Sequence, residues 1–178
     1  MPFSNLFKTK DPRLDAVDAL YGALVQKARD PRFYRDMGVP DTVDGRFDMI
    51  VIHAMLVMRR LRETPEEVHR TGQRLFDLMF LDMDRSLREM GVGDMGVGKH
   101  VKKMARAFYG RAAAYEAGLD ESGAALDQAV SDNLYRHGQP APGVVKEVAE
   151  YIRRASAHLA QQPVADVLAG RIDFSVQV

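Results

Sequence analysis

The chain has 178 residues, 46% hydrophobic and 28% charged, which suits one domain with a sizeable core. Its 25 lysines and arginines balance 25 aspartates and glutamates, so net charge gives no general affinity for nucleic acid or anionic membrane and leaves only local patches to consider. With no cysteine, disulfides, thiol catalysis, cysteine-ligated metals and covalent c-type haem are excluded.

The N-terminal stretch MPFSNLFKTKDPR is too short and polar for a secretory core. Phe3, Leu6 and Phe7 beside Lys8 and Lys10 suit a membrane touch, but a frayed end is the simpler reading. No run reaches the roughly 18 apolar residues of a membrane span, so a soluble or peripheral protein is expected. A first helix is predicted from about Leu14 to Arg29, with Leu14, Val17, Tyr21, Leu24, Val25 and Ala28 on its apolar face. Asp30-Pro31 breaks it. A turn through Phe33 and Tyr34 and the loop Gly38 to Asp41 follow.

The next helix starts near Asp44 or Arg46. From Met49 to Met58 it is apolar at nearly every position except His53, which marks a buried central helix. Thr64-Pro65-Glu66-Glu67 is a helix start, with Thr64 as N-cap, Pro65 at the first position and Glu67 closing a capping box. That helix runs to about Met90, with Phe76, Met79, Phe80, Met83, Leu87 and Met90 in one stripe. A glycine-rich elbow, GVGDMGVGKH, leads to a helix from about Gly98 to Gly118. Further helices span roughly Glu121 to Arg136, then the end of the His137–Gly143 linker to Gln161, then Pro163 to Leu168. Gly170 ends the last one, and Ile172, Phe174, Val176 and Val178 alternate as in an extended tail. The reading is an all-α, single-domain bundle of about six to seven helices, with flexible or extended ends at 1–13 and 172–178.

The elbow satisfies two phosphate-binding patterns, through Gly91, Gly93 and Gly96 and through Gly93, Gly98 and Lys99. Both patterns draw their chemistry from a strand that ends in a glycine turn, and here a helix precedes. His100 stands where a magnesium-binding hydroxyl belongs. The elbow is therefore read as a helix–helix connection, with a left-handed glycine after Met90 and Gly98 allowing close backbone approach.

Catalytic candidates are few. His53 reads as a hydrogen-bonded core histidine, with haem ligation as the alternative. Glu66 and His69 supply half of a di-iron motif without its second copy. Asp77 and Asp84 share a helix face, and salt bridges to the following basic helix are favoured over a catalytic pair. That basic helix carries Lys99, Lys102, Lys103, Arg106 and Arg111 with no acid between the first and last of them. It is either a solvated face or a contact for RNA, acidic headgroups or a protein partner. Of ten methionines, Met49, Met55, Met58, Met79, Met83, Met90, Met95 and Met104 gather on the three middle helices, as core filling or as an adaptable apolar surface.

Several segments together resemble the ubiquinol–cytochrome c chaperone family. They are Gly38 to Asp41 with Gly45 to Asp48, Leu75 to Asp77 through Met83-Asp84, Leu87 to Asp94, Lys102 to Met104, and Phe108 to Arg111 with Tyr115. Asn133 to Tyr135, Tyr151 to Arg153 and Leu168 to Ile172 are similar too, and the likeness spans about Ala19 to Phe174. The Arg-Glu-Met-Gly-Val elbow followed by Phe-Tyr-Gly-Arg is its distinctive part. One departure is Asp132, where a basic residue is expected before the Asn-Leu pair.

The resemblance implies a non-enzymatic assembly factor that binds newly made cytochrome b for the respiratory bc1 complex. No cofactor, DNA or small-molecule substrate is implied. Mitochondrial relatives associate with the ribosomal exit region, and the short N-terminus looks like that of a bacterial-type member. The expected location is cytoplasmic, peripheral on the inner membrane. Lys99, Lys102, Lys103, Arg106 and Arg111 are the expected partner contacts.

Overall fold

The computed structural model describes residues 12–121 and 123–178. The readings made for the N-terminal end, including its membrane touch and the inward Leu14 side chain, lie outside what is described. Eight α-helices follow in order: α1 Pro12–Ala28, α2 Pro31–Arg35, α3 Val43–Arg60, α4 Pro65–Glu89, α5 Asp94–Asp120, α6 Ala125–Asn133, α7 Val144–Ala160 and α8 Val164–Leu168. The described residues contain no strand. The all-α bundle is as expected, with α2 added where a turn was read. Asp30 makes the difference: its side chain accepts from the Arg32 N–H, and Pro31 sits preorganised in the first turn.

Helix α3 is the axis of the fold. Every residue from Phe47 to Val57 is buried, so its neighbours must surround it. Helices α1, α5 and α7 pack on it, and α4 closes the side between α1 and α5. Val17, Leu24 and Ala28 of α1 are buried, as are Val148, Tyr151, Ile152 and Leu159 of α7. The tail is held in place. Phe174 packs its edge on His53 with ring centroids 5.4 Å apart. Lys27 Nζ donates to the Val176 carbonyl at 2.9 Å, and Gln162 brackets the Asp173 backbone on both sides.

Two helix starts differ from expectation. Thr64 makes no side-chain cap: its hydroxyl donates backward to the Leu61 carbonyl at 3.0 Å, in a 3-10 turn over Leu61–Glu63. Glu67 pairs with Arg70 instead of closing a capping box. Helix α5 starts at Asp94, four residues early. Gly91 at φ +82° ends α4, Gly93 is extended, and Asp94 places a carboxylate at the positive end of the helix dipole. Gly96 and Gly98 therefore lie inside a helix, and the elbow offers no glycine turn of the phosphate-binding kind. A Cβ at Gly98 would meet nothing within 4 Å, so no close approach depends on it. Helix α6 ends at Asn133, three residues before the expected Arg136.

The close approach lies at Gly45. A Cβ there would stand 2.0 Å from the Pro40 carbonyl oxygen, so the loop before α3 folds directly over its first turn. Thr42 caps that turn by accepting from the Gly45 N–H at 3.1 Å. Gly45→Ala is expected to lower the unfolding free energy by about 2–3 kcal/mol in urea titration. Gly22→Ala, at a helical site with nothing within 4 Å of the new carbon, should be neutral or stabilise by up to about 1 kcal/mol.

Candidate functional site

The capped start of α3 aims Asp44, Phe47 and Asp48 to one side, at steps of three and four. The Asp48 side chain is 1% exposed, and a buried carboxylate needs compensation. Two guanidiniums supply it. Arg111 of α5 reaches Oδ1, and Arg136, just past α6, reaches Oδ2 at 2.5 Å. Arg136 also bonds the Asn133 carbonyl and pairs with Asp44 at 3.2 Å. Arg111 lies over the Phe47 ring, 5.5 Å from its centroid. Burial pushes the Asp48 carboxyl up to about 6, while Arg136 and Arg111 pull it down, so it is ionised at neutral pH. The hydroxyl of Tyr115, a residue close enough for these charges to act on it, is buried without a partner.

This cluster floors a groove of about 950 Å³ between the start of α3, the middle of α5 and the segment after α6. Phe47, Leu87, Met104, Ala107 and Leu134 make its walls apolar. Lys103, His100 and His137 stand on the rim, all exposed. Tyr135 fixes the far wall by donating to the Met37 carbonyl at 2.7 Å. The arrangement offers an apolar trough with a polar rim that includes the Lys103 ammonium, suited to an apolar chain segment that carries polar or anionic flanks.

The expected cationic set divides. Lys99, Lys102, Lys103 and Arg106 are exposed and have no ion-pair partner among the described residues, whereas Arg111 is half-buried and committed to Asp48. The acids of α4 do not pair with the lysines of α5, contrary to expectation. Asp77 accepts from Gln73, Asp82 from Tyr21 and Asp84 from Arg88. The reason is that the α4–α5 contact is apolar, built from Phe76, Phe80 and Phe108, so both charged faces turn outward. The methionine surface shrinks likewise. Met49, Met55, Met79, Met83 and Met104 are buried as core filling, while Met90 and Met95 at the elbow are exposed.

His53 is a core residue. Its Nδ1 lies 2.7 Å from the Met49 carbonyl and its Nε2 2.8 Å from the Tyr151 hydroxyl. Nδ1–H therefore donates, and Nε2 accepts from the Tyr151 O–H. Both nitrogens are engaged, leaving none for an axial haem ligand. Glu66 and His69 are exposed near the start of α4, and no three His, Asp or Glu among the described residues gather as metal ligands.

The model of the ubiquinol–cytochrome C chaperone family matches residues 35–174. The chain belongs to this family. A solved structure, the Cbp3 homologue from Brucella abortus, is similar at 34% identity and a TM-score of 0.79, covering 93% of this chain and 94% of its own. Among curated proteins, none matches. In this family member, segments carrying the sequence resemblance converge on the groove: Asp48 from the first, Arg111 from the Phe-Tyr-Gly-Arg stretch, and Leu134 from the Asn-Leu pair. The cluster of Asp48 with Arg136 was missed in the sequence. The signal was present as a lone acid at the edge of an apolar run, but its partners lie 63 and 88 residues away.

Asp48→Ala should cost about 3–5 kcal/mol of stability by leaving two guanidiniums uncompensated, read by urea unfolding. The His53 pKa is lowered by burial to about 4, so the folded state binds fewer protons than the unfolded state, whose value is near 6.5. Its contribution is complete above pH 6.5 and falls by about 2 kcal/mol at pH 5. Asp48 titrates in the opposite sense, so the difference between the protein and His53→Gln isolates this slope. A parallel pH profile in the two proteins would contradict it.

Proposed function

We propose that this protein is a non-enzymatic chaperone that holds unassembled cytochrome b during assembly of the bc1 complex. Family membership supports the class of client. The groove over Asp48 is the observation that supports a place for it. An apolar trough walled by Phe47, Leu87, Met104, Ala107 and Leu134 suits part of an apolar helix that has not yet found its neighbours. Lys103 and the polar side chains of the rim suit polar or acidic residues flanking that helix. Arg111 serves this site as floor, by fixing Asp48, rather than as an exposed contact.

On this reading the protein works at the membrane surface, where cytochrome b is inserted. Attachment on this reading is peripheral, on the cytoplasmic face; that no helix of the described residues is long and apolar enough to cross a membrane is compatible with it. A ribosome-proximal role is compatible with the same placement. The His53 alternative is not favoured, because both ring nitrogens are engaged.

The test is a tagged pull-down from membranes solubilised in mild detergent, read by mass spectrometry. Cytochrome b is expected to be enriched. Ala107→Glu, which puts a charge on the groove wall, should reduce recovery at least about tenfold while the thermal unfolding midpoint stays unchanged. Normal bc1 assembly in a deletion strain, with no cytochrome b recovered, would refute the proposal.

A further inference from the structure

Met95, Lys99, Lys102, Arg106 and Tyr109 recur along α5 at steps of three and four, so they form one row on one side of the helix. All five are exposed, Met95 by 93% and Tyr109 by 61%. Met90, at the end of α4, adds a second exposed thioether at the elbow. Of the five exposed large apolar side chains among the described residues, three belong to this row or its elbow. Apolar exposure thus coincides with three cations, Lys99, Lys102 and Arg106, that have no ion-pair partner among the described residues.

The acids of the helix do not offset these cations. Asp94 is held by Arg88, while Glu116 and Asp120 are held by Arg59 and Arg62. Each carboxylate is occupied by an arginine from another element, and the middle of α5 is left uniformly positive in a chain of zero net charge.

We propose that this face of α5 docks the protein on an anionic phospholipid bilayer. Lys99, Lys102 and Arg106 lie among the headgroups, their aliphatic stems along the surface. Met90, Met95 and the Tyr109 ring enter the boundary between headgroups and acyl chains. Tyr109 is braced for this position, stacked on Phe76 with centroids 5.3 Å apart and set against Phe108 at 5.5 Å. Tyr109 is the one aromatic among the exposed large apolar side chains of the described residues, a poor platform for single-stranded RNA, whose successive bases stack on several rings. Met95, the most exposed large apolar side chain of the described residues, adds nothing to a phosphate contact but has a use in lipid. The inference deepens the peripheral placement proposed above. It does not depend on the client, so cytochrome b recovery and vesicle binding succeed or fail separately.

The experiment is co-sedimentation of the purified full chain with vesicles of phosphatidylcholine alone, or with about a third of phosphatidylglycerol. Binding is expected to the anionic vesicles only, and should weaken as salt rises from about 0.1 to 0.5 M. The triple variant Lys99→Gln, Lys102→Gln and Arg106→Gln should bind on the order of a hundredfold more weakly. Each single neutralisation should cost several-fold, which keeps the test valid if the triple variant misfolds. Met95→Ser should lose several-fold at every salt concentration. Arg85→Gln, an exposed cation outside the row on α4, should change little. Equal binding to neutral vesicles, no binding to either, an equal loss in Arg85→Gln, or binding to an RNA homopolymer in place of vesicles would overturn the proposal.

Discussion

The Asp48 carboxylate is the constraint around which the rest of the molecule is arranged. Helix α3 is buried over three turns, and a charge at the edge of that stretch is tolerated only where opposite charge meets it. Arg111 and Arg136 do so from two different elements, one on α5 and one just past α6. A buried ion cluster of this kind adds little net stability over an apolar core of equal volume. It does fix geometry: α5 and the chain after α6 cannot shift along α3 without uncovering a charge. The groove above the cluster is the space those three segments enclose.

Helix α5 serves two surfaces because its cations divide by face. Arg111 turns inward toward Asp48, and the Lys99–Arg106 row turns outward. The helix's acids stand at its ends, and arginines of other elements occupy them. A chain with zero net charge thereby carries a strongly positive strip beside an apolar groove. On the reading proposed here, one surface meets lipid and the neighbouring one meets an apolar segment emerging from it. A peripheral chaperone for a membrane protein needs both.

Periodicity made the bundle legible. The all-round apolar run of α3 announced a central helix, and the stripes of α4 and α7 announced their inward faces. Boundaries were less legible where local chemistry competes. The early start of α5 depends on the left-handed Gly91 and on Asp94 at the dipole, both masked by four glycines in eight residues. Sequence proximity pairs the acids of α4 with the cations of α5, whereas the apolar contact between the helices points both charged faces away from each other. Methionine excess read equally as surface and as core, and packing put most of it inside. Asp48 and Arg136 are too far apart in sequence for any spacing rule to pair them.

The most direct test of the account is hydrogen exchange on the full chain, with and without detergent-solubilised cytochrome b. If the groove is the client surface, protection should rise in residues 40–48, 100–111 and 134–138, and α7 with its tail should be unchanged. Protection confined to α7 and residues 171–178, or none anywhere while the complex is intact, would contradict it.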